Sequence, residues 1–280
     1  MSTWLITGAG RGLGLQIARA AVAGGEAVVA AARRPADLPA DLTQSERVLG
    51  VALDVTRGED ITRAVDAAVG HFGGVDVLIN NAGRGLLGAL EEISDAEARS
   101  LFDLNVFGLI NVTRAVLPVM RAAGRGKIVN IGSRSGFEGE PGVSMYSASK
   151  FAVAGISEAL AAEMAPFGIQ SMVVEPGVLR TDFLDTSSVS MPAHRIPAYD
   201  GTPAHDTLDW RGEANHTQLG DPTKAAALIY EVTSGQDKLP GHLPLGRDAI
   251  ERQQVKIQEI QDVLATWRQK STATACADAG

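Results

Sequence analysis

The sequence predicts an α/β protein in which helices cover both faces of a parallel β-sheet. Short apolar runs rich in β-branched residues alternate with amphipathic stretches of helical length, which is the pattern of consecutive βαβ units. Of the 280 residues, 45% are apolar and 21% are charged, enough to bury one large core. A glycine-rich turn over residues 7–14 separates the first predicted strand from the first predicted helix. We therefore expect a doubly wound sheet in a single domain over residues 1–270.

Each predicted element rests on a local pattern. Apolar positions recur at helical spacing after Glu59, and Ser94 with Glu97 forms a capping box that begins a long helix. Asp221 followed by Pro222 is typical of another helix start. The predicted strands lie at 4–7, 27–32, 48–55, 75–80, 127–131 and 170–175. The predicted helices lie at 13–24, 61–72, 94–120, 147–165 and 221–233, and an amphipathic C-terminal helix runs from 250 to 267.

The regular alternation stops between residues 182 and 220, where prolines and glycines lie among polar residues. We interpret this segment, called the lid below, as a long loop over a substrate site with at most a short helix. Long loops inside a compact domain are usually functional. Residues 271–280 are predicted to be a disordered tail.

Charge and cysteine content exclude several classes of function. The net charge of −8, from 25 basic and 33 acidic residues, disfavours nucleic acid as a partner. Cys276 is the only cysteine, so neither an internal disulfide nor a cysteine-based metal cluster can form, and a reducing cytoplasm fits best. The N-terminus lacks a basic region followed by a long apolar run, so we expect no membrane partner.

The glycine-rich turn is suited to binding a pyrophosphate. Thr7, Gly8, Gly12 and Gly14 match the pattern T-G-x-x-x-G-x-G in full, between a strand and a helix. Backbone N–H groups and the helix dipole at such a turn attract phosphate, and only glycine permits the close approach. The alternative is a purely structural connection.

The end of the second predicted strand indicates which dinucleotide binds. An acidic residue at this position would bind a ribose 2′-hydroxyl, but the sequence there is Ala31-Ala32-Arg33-Arg34. The Arg33 guanidinium suits a 2′-phosphate, and Arg11 adds a second positive charge, so NADP(H) is favoured over NAD. The alternative is that Arg33 and Arg34 are ordinary solvated surface residues.

Tyr146 and Lys150 stand four residues apart, on one face of a predicted helix. Bringing a tyrosine pKa from about 10 to about 7 takes roughly 4 kcal/mol of preferential phenolate stabilisation. A neighbouring ammonium and an oxidised nicotinamide ring can supply this. Ser133 follows the fifth predicted strand, at the edge where ligands collect in open α/β sheets.

With these motifs together, the chain resembles the short-chain dehydrogenase/reductase family from Thr3 to about Arg252. The resemblance implies a Rossmann-type sheet of about seven strands and assembly as a homodimer or homotetramer. Two positions depart from the common pattern, Gly132 and Glu175, and neither removes a catalytic atom. The motifs are Thr7-Gly8-x-x-x-Gly12-x-Gly14, Asp54-Val55, Asn80-Asn81-Ala82-Gly83, Asn105, Ser133, Tyr146-x-x-x-Lys150 and Pro176-Gly177.

The resemblance also implies a role for each matching residue. Tyr146 is the general acid in carbonyl reduction, Ser133 binds the substrate oxygen, Lys150 lowers the Tyr146 pKa and binds the nicotinamide ribose, and Asn105 holds a water in a proton relay. The family spacing selects Ser133 over Ser135. The expected cofactor contacts are Gly8, Arg11, Gly12, Leu13, Gly14, Arg33, Asp54, Val55, Asn81, Ala82, Gly83, Tyr146, Lys150, Pro176, Gly177 and Thr181.

The lid leaves two questions open. Histidines 194, 205 and 216 are evenly spaced, yet the spacing does not suit a metal site and we expect solvent-exposed loop histidines. The lid also contains apolar residues that either line a substrate pocket or pack on the core. These residues are Phe183, Leu184, Met191, Tyr199 and Trp210.

The sequence therefore predicts an NADP(H)-dependent oxidoreductase that acts on a carbonyl or secondary alcohol of a hydrophobic small molecule. An NADP-binding redox sensor without turnover is the alternative, although such proteins typically lose the catalytic tyrosine or lysine. A sugar-nucleotide epimerase or dehydratase fits poorly, because those chains are longer and have a different glycine spacing.

Overall fold

A seven-stranded parallel sheet forms the centre of the molecule. The structure is a computed structural model that describes residues 1–276, and at Glu213 it describes only the backbone. The strand order is β3-β2-β1-β4-β6-β7-β9, and every neighbouring pair is parallel. The predicted doubly wound α/β fold is confirmed. The strands of this sheet are β1 (Thr3–Thr7), β2 (Ala27–Ala32), β3 (Val48–Ala52), β4 (Val77–Asn80), β6 (Gly126–Ile131), β7 (Ile169–Pro176) and β9 (His242–Leu245).

Helices pack on both faces because strand side chains alternate between the two faces. Trp4 and Ile6 contact the side of α1 and α8, whereas Leu5 contacts the side of α3 and α5. All three are fully buried. The helices are α1 (Gly12–Ala23), α2 (Ala40–Thr43), α3 (Gly58–Phe72), α4 (Asp95–Phe102), α5 (Leu109–Ala123), α6 (Ser144–Met164), α7 (Pro203–Ala214), α8 (Pro222–Ser234) and α9 (Arg247–Thr272).

The predicted helix over 94–120 is interrupted. Ser94 caps α4 with Glu97 as predicted, but a π-helical stretch, Asp103–Gly108, separates α4 from α5. A π-bulge commonly marks a functional position, and this one carries Asn105. The run Asp95–Ala123 is long and apolar enough to cross a membrane by length and composition. Its buried residues, which include Val112 and Val116, pack against the sheet, as in a core helix.

The lid is more ordered than the predicted loop. It contains the twelve-residue helix α7 and a short strand β8 (Val189–Ser190), which pairs with β5 (Gly85–Leu86). The expectation of an exposed histidine is wrong for His205, which is 1% exposed. Its two ring nitrogens contact Glu92 at 2.8 Å and Asp200 at 3.0 Å. The buried Glu92 carboxylate therefore holds His205, near the start of α7, against the segment that follows β5.

Two further differences lie near the C-terminus. Strand β9 carries a histidine and a proline in four residues, so its sequence has no clear strand pattern, and β7 supplies its pairing. Helix α9 continues through Thr272, two residues into the predicted tail. Residues 277–280 of that predicted tail lie outside the described residues.

Candidate active site

The glycine-rich turn lies between β1 and α1 and is held in place by the segment after β4. The Thr7 hydroxyl accepts hydrogen bonds from the backbone N–H groups of Asn81 at 2.9 Å and Ala82 at 3.0 Å. The Asn81 amide in turn donates to the carbonyl oxygens of Thr7 and Gly8. Hydrogen bonds therefore join the turn after β1 to the segment after β4, and both carry predicted cofactor residues.

Glycine is required at two positions of this turn. Gly8 has a φ of +68°, in the left-handed region that side chains avoid. A Cβ at Gly14 would lie 2.3 Å from the Asn81 amide nitrogen and 2.5 Å from the Gly8 carbonyl oxygen. This close packing leaves the backbone N–H groups at the start of α1 open to a pyrophosphate, so the turn fits a dinucleotide.

One cavity of about 1290 Å³ runs along the carboxyl edge of the sheet. The structure brings nearly all predicted site residues to it. Two exceptions are Gly14, which packs against Asn81, and Asn105, which lies behind the wall. The predicted residues that line the cavity are Gly8, Arg11, Gly12, Leu13, Arg33, Asp54, Val55, Asn81, Ala82, Gly83, Ser133, Tyr146, Lys150, Pro176, Gly177 and Thr181.

Arginines surround the end of the cavity beside β2. Arg34 is paired with Asp37 at 2.7 Å, whereas Arg33 forms no hydrogen bond or ion pair with the described residues around it. Burial alone would raise the pKa of Asp54, but hydrogen bonds from Thr56 and the charge of Arg33 bring it below its ordinary value. Asp54 is therefore ionised beside Arg33.

Arg11 lines the cavity and also makes a contact that the sequence did not indicate. Its guanidinium binds the lid, with one nitrogen 2.6 Å from the Ser187 hydroxyl and another 2.9 Å from the Ser187 carbonyl oxygen. The glycine-rich turn and the lid thus meet across the cavity. This contact joins residues 176 positions apart, so the sequence alone gave no signal for it.

Lys150 and Tyr146 lie on the first turns of α6, and both are at least nine-tenths buried. The Lys150 ammonium donates to the Ile131 carbonyl oxygen at 2.8 Å and lies 5.8 Å from the centre of the Tyr146 ring. Ser133 follows β6 and lies close enough to Tyr146 to influence the pKa of its hydroxyl. The three predicted side chains therefore meet at one end of the cavity.

Burial shifts both titrating groups toward their neutral forms. Burial and the Glu140 carboxylate raise the pKa of Tyr146, Ser133 and Arg134 lower it, and the net result is a pKa of about 12. Burial lowers the pKa of Lys150 to about 8. The residues of this chain alone therefore keep the phenol protonated at neutral pH, and the near-neutral pKa expected with an oxidised nicotinamide beside Tyr146 stays a prediction.

Asn105 lies outside the cavity lining and holds the helix that carries Tyr146 and Lys150. Its side-chain oxygen accepts from the Arg84 backbone N–H, and its nitrogen donates to the Arg84 carbonyl oxygen, each at 2.9 Å. The same nitrogen donates to Ser149, on the helix that carries Tyr146 and Lys150. The π-helical stretch therefore links the segment after β4 to α6.

The lid contributes both polar and apolar side chains to the opposite wall of the cavity. Of the apolar lid residues left open by the sequence, Phe183, Leu184 and Trp210 line the cavity. Met191 does not line it, and Tyr199 instead donates to Glu91 at 2.9 Å. The ring centroids of Phe183 and Tyr146 are 5.9 Å apart, so the cavity offers an apolar surface close to Tyr146.

Sequence reasoning missed a charged network beside Ser133. Arg134 lies 3.0 Å from Glu140 and 3.6 Å from Asp248, and Asp248 also accepts from the Val178 backbone N–H at 2.9 Å. These residues join the loop after β6 to the start of α9. They carry no family motif, and only the tertiary fold brings them together.

The lid histidines do not share a site among the described residues. His205 is buried against Glu92, and His216 lies apart from it, near Asp182 and Asp185. The side-chain oxygen and nitrogen atoms of Asp182, Asp185 and His216 lie within 4.8 Å of one another. Exposed acidic groups commonly lie this close together without a metal.

Comparisons with known proteins identify the family of this chain. The family model described as short chain dehydrogenase matches residues 2–191. The chain belongs to the short-chain dehydrogenase family. It is 37% identical over 274 residues to Oxidoreductase BOA17 of Botryotinia fuckeliana, covering 97% of this chain and 98% of that relative. Members of the family are oxidoreductases that use nicotinamide cofactors.

Solved structures of short-chain dehydrogenases have the same fold. One from Streptomyces avermitilis aligns with a TM-score of 0.89 at 40% identity and covers 98% of this chain and all of its own. A Burkholderia phymatum family member in complex with NAD has a TM-score of 0.81 at 26% identity, covering 93% and 94% of the two chains. A protein called ElxO with bound NADP aligns with a TM-score of 0.74 at 27% identity, and the alignment covers 89% of this chain and 99% of that one. One of these neighbours thus binds NAD and another binds NADP.

Proposed function

We propose that this short-chain dehydrogenase is an NADP(H)-dependent oxidoreductase that acts on a carbonyl or secondary alcohol of a hydrophobic small molecule. The observation that carries this proposal is the meeting of Ser133, Tyr146 and Lys150 at one end of a cavity whose other end presents Arg33. No acidic residue takes the position at the end of β2.

The residues of the chain divide the work of carbonyl reduction between them. Bound NADPH supplies the hydride. The Ser133 hydroxyl binds the carbonyl oxygen, and the Tyr146 hydroxyl donates a proton to it as negative charge develops. A phenol with a pKa of about 12 is protonated at neutral pH, which is the state that reduction requires. Lys150 binds the nicotinamide ribose, and the proton relay through Asn105 stays a prediction.

Cofactor choice depends on Arg33. Its neighbour Arg34 is already engaged by Asp37, so Arg33 is the guanidinium available at the end of β2 for a 2′-phosphate. A planar guanidinium binds phosphate through paired, charge-assisted hydrogen bonds. Arg11 is held by Ser187 and reaches the same cavity from the side of the glycine-rich turn.

The proposal also covers the class of substrate, the lid, the compartment and the assembly of the enzyme. Phe183, Leu184 and Trp210 favour an apolar substrate, with residues 182–220 as its lid and residues 1–270 as one catalytic domain. We also propose that the enzyme works in the cytoplasm and assembles as a homodimer or homotetramer, as the family resemblance implies.

Consumption of NADPH and NADH, followed by nicotinamide absorbance against ketones, aldehydes, quinones and steroid-like carbonyls, tests the proposal. The Tyr146→Phe protein is the blank. Turnover that prefers NADPH and disappears in the variant is the expected result. Binding of NADPH without reduction of any carbonyl would instead support a redox sensor, and equal use of NADH would contradict the assignment of Arg33.

A further inference from the structure

A second cavity lies beside the catalytic cavity, between the end of the lid and the start of α9. Its volume is about 500 Å³. Arg134, Val178 and Trp210 line both cavities, so the two share these side chains as a common wall. Gln218 and Asp248 line the second cavity only. A substrate that fills the catalytic cavity can therefore extend past this wall into the second one.

Gln218 is a buried polar residue without hydrogen bonds from its side chain. It is 4% exposed, and neither its Nε2 nor its Oε1 atom has a partner in the part of the chain that the structure describes. Buried polar side chains normally have such partners. The terminal torsion of a glutamine has a broad range, so its amide can turn toward a molecule in the cavity at little cost. The Gln218 amide is therefore available to a bound ligand.

The backbone around Gln218 is fixed to the segment after β7. The Arg180 guanidinium donates to the Gln218 carbonyl oxygen at 2.9 Å. The Gly220 N–H donates to the Val178 carbonyl oxygen at 3.1 Å, and the Gly220 carbonyl oxygen accepts from the Arg180 N–H at 2.8 Å. Binding residues are effective when their own position is held in this way.

The charges around the second cavity favour a neutral ligand group. Arg134 lies 3.0 Å from Glu140 and 3.6 Å from Asp248, and Arg180 contacts the Gln218 carbonyl oxygen. Two guanidinium groups are thus matched by two carboxylates, which leaves no excess charge to attract a carboxylate or an ammonium group. An amide has both a donor and an acceptor, so it suits a neutral group that has both, such as a hydroxyl.

We propose that Gln218 binds a hydroxyl group at the far end of the substrate, in the second cavity. This inference rests on the proposed function and specifies its substrate class. The substrate is an elongated ketone that carries a hydroxyl group. Its carbonyl lies beside Tyr146, its apolar middle passes Trp210, and its hydroxyl forms hydrogen bonds with the Gln218 amide.

The test compares straight-chain methyl ketones of increasing length that end in a methyl, hydroxyl, carboxylate or ammonium group. We measure kcat/KM with NADPH and, at each length, divide the value for the hydroxyl-ended ketone by that for the methyl-ended ketone. This quotient is called the hydroxyl ratio. A hydrogen bond between neutral groups predicts a hydroxyl ratio of about three to ten in the wild type, once the chain is long enough to reach Gln218.

Gln218→Met keeps an unbranched side chain but removes both hydrogen-bonding atoms, so its hydroxyl ratio should fall to about one or below. Gln254→Met is the matched control, because Gln254 is exposed on α9 and lines neither cavity. We expect the control to keep the wild-type ratio. A ratio taken within each protein removes any general effect of the substitution on catalysis. Gln218→Leu replaces Gln218→Met if circular dichroism shows that the methionine variant does not fold.

Three results would overturn the proposal. A wild-type hydroxyl ratio near one at every chain length would show that the hydroxyl is not recognised. A ratio that Gln218→Met leaves unchanged would place the hydroxyl contact at another residue. A preference for the carboxylate-ended or the ammonium-ended ketones would assign the second cavity to a charged group.

Binding measurements separate this proposal from the proposed function. If the wild type reduces none of the ketones, calorimetric titration of the hydroxyl-ended and methyl-ended ketones into the protein with NADPH gives the ratio of their Kd values without turnover. A hydroxyl preference that disappears in Gln218→Met would then support the second cavity while contradicting the proposed activity. Equal Kd values would contradict the role of Gln218 as well.

Discussion

Replacing Lys150 by methionine should make the protein more stable while abolishing turnover. Burial lowers the pKa of Lys150 from 10.5 to about 8, and at 1.36 kcal/mol per unit the charged form costs the fold about 3 kcal/mol at pH 7. The variant loses the hydrogen bond to the Ile131 carbonyl oxygen, which costs about 1 kcal/mol. A net gain of about 2 kcal/mol corresponds to a rise in Tm of about 4–8 °C.

The stability advantage of Lys150→Met over the wild type should decrease as the pH rises. Below pH 8 Lys150 is charged in both the folded and unfolded states, so the full penalty applies. Between about pH 8 and 10.5 the unfolded state binds more protons, so wild-type stability rises with pH and the advantage of the variant disappears. Urea unfolding of both proteins without added cofactor, at pH 7 and pH 10, measures this difference.

Lys224→Met is the matched control, because Lys224 is exposed and its loss should change stability by less than about 0.5 kcal/mol. A Lys150→Met protein that is less stable than the wild type at pH 7 would contradict the cost assigned to the buried charge. A gain in stability of the same size at pH 7 and pH 10 would also contradict it, since packing alone would then account for the gain.

Three other substitutions test the site. Tyr146→Phe should lower kcat by about 10²–10⁴-fold while NADPH fluorescence titration gives an unchanged Kd. Arg33→Ala should raise the Kd for NADPH about tenfold and leave that for NADH unchanged, and equal losses would contradict the 2′-phosphate contact. Gly14→Val should weaken both dinucleotides in calorimetric titration, because its side chain would displace the Asn81 amide.

The sequence predicted what depends on local patterns. The strand and helix periods located the sheet, and the four-residue spacing of Tyr146 and Lys150 placed them on one face of α6. The glycine pattern located the turn at the start of α1. These features succeed because each is encoded within one or two elements, and the parallel sheet then brings their ends to one edge.

The features that the sequence missed depend on contacts between distant segments. His205 is buried because Glu92, 113 residues away, lies against it, and nothing in the spacing of the lid histidines indicates that partner. Helix α4 continues into a π-helical stretch in which Asn105 binds both Arg84 and Ser149. Strand β9 forms through pairing with β7, against a weak strand pattern of its own.

One buried environment accounts for the opposite pKa shifts at the site. It favours neutral lysine and neutral tyrosine alike, so the phenol is a proton donor at neutral pH while Lys150 holds its charge only at the cost of stability. A proton donor supports the reductive direction of the proposed reaction. Oxidation of an alcohol needs the phenolate, which a positive charge at the nicotinamide would stabilise next to Tyr146. The chain thus prepares proton donation by itself and depends on its cofactor for the reverse step.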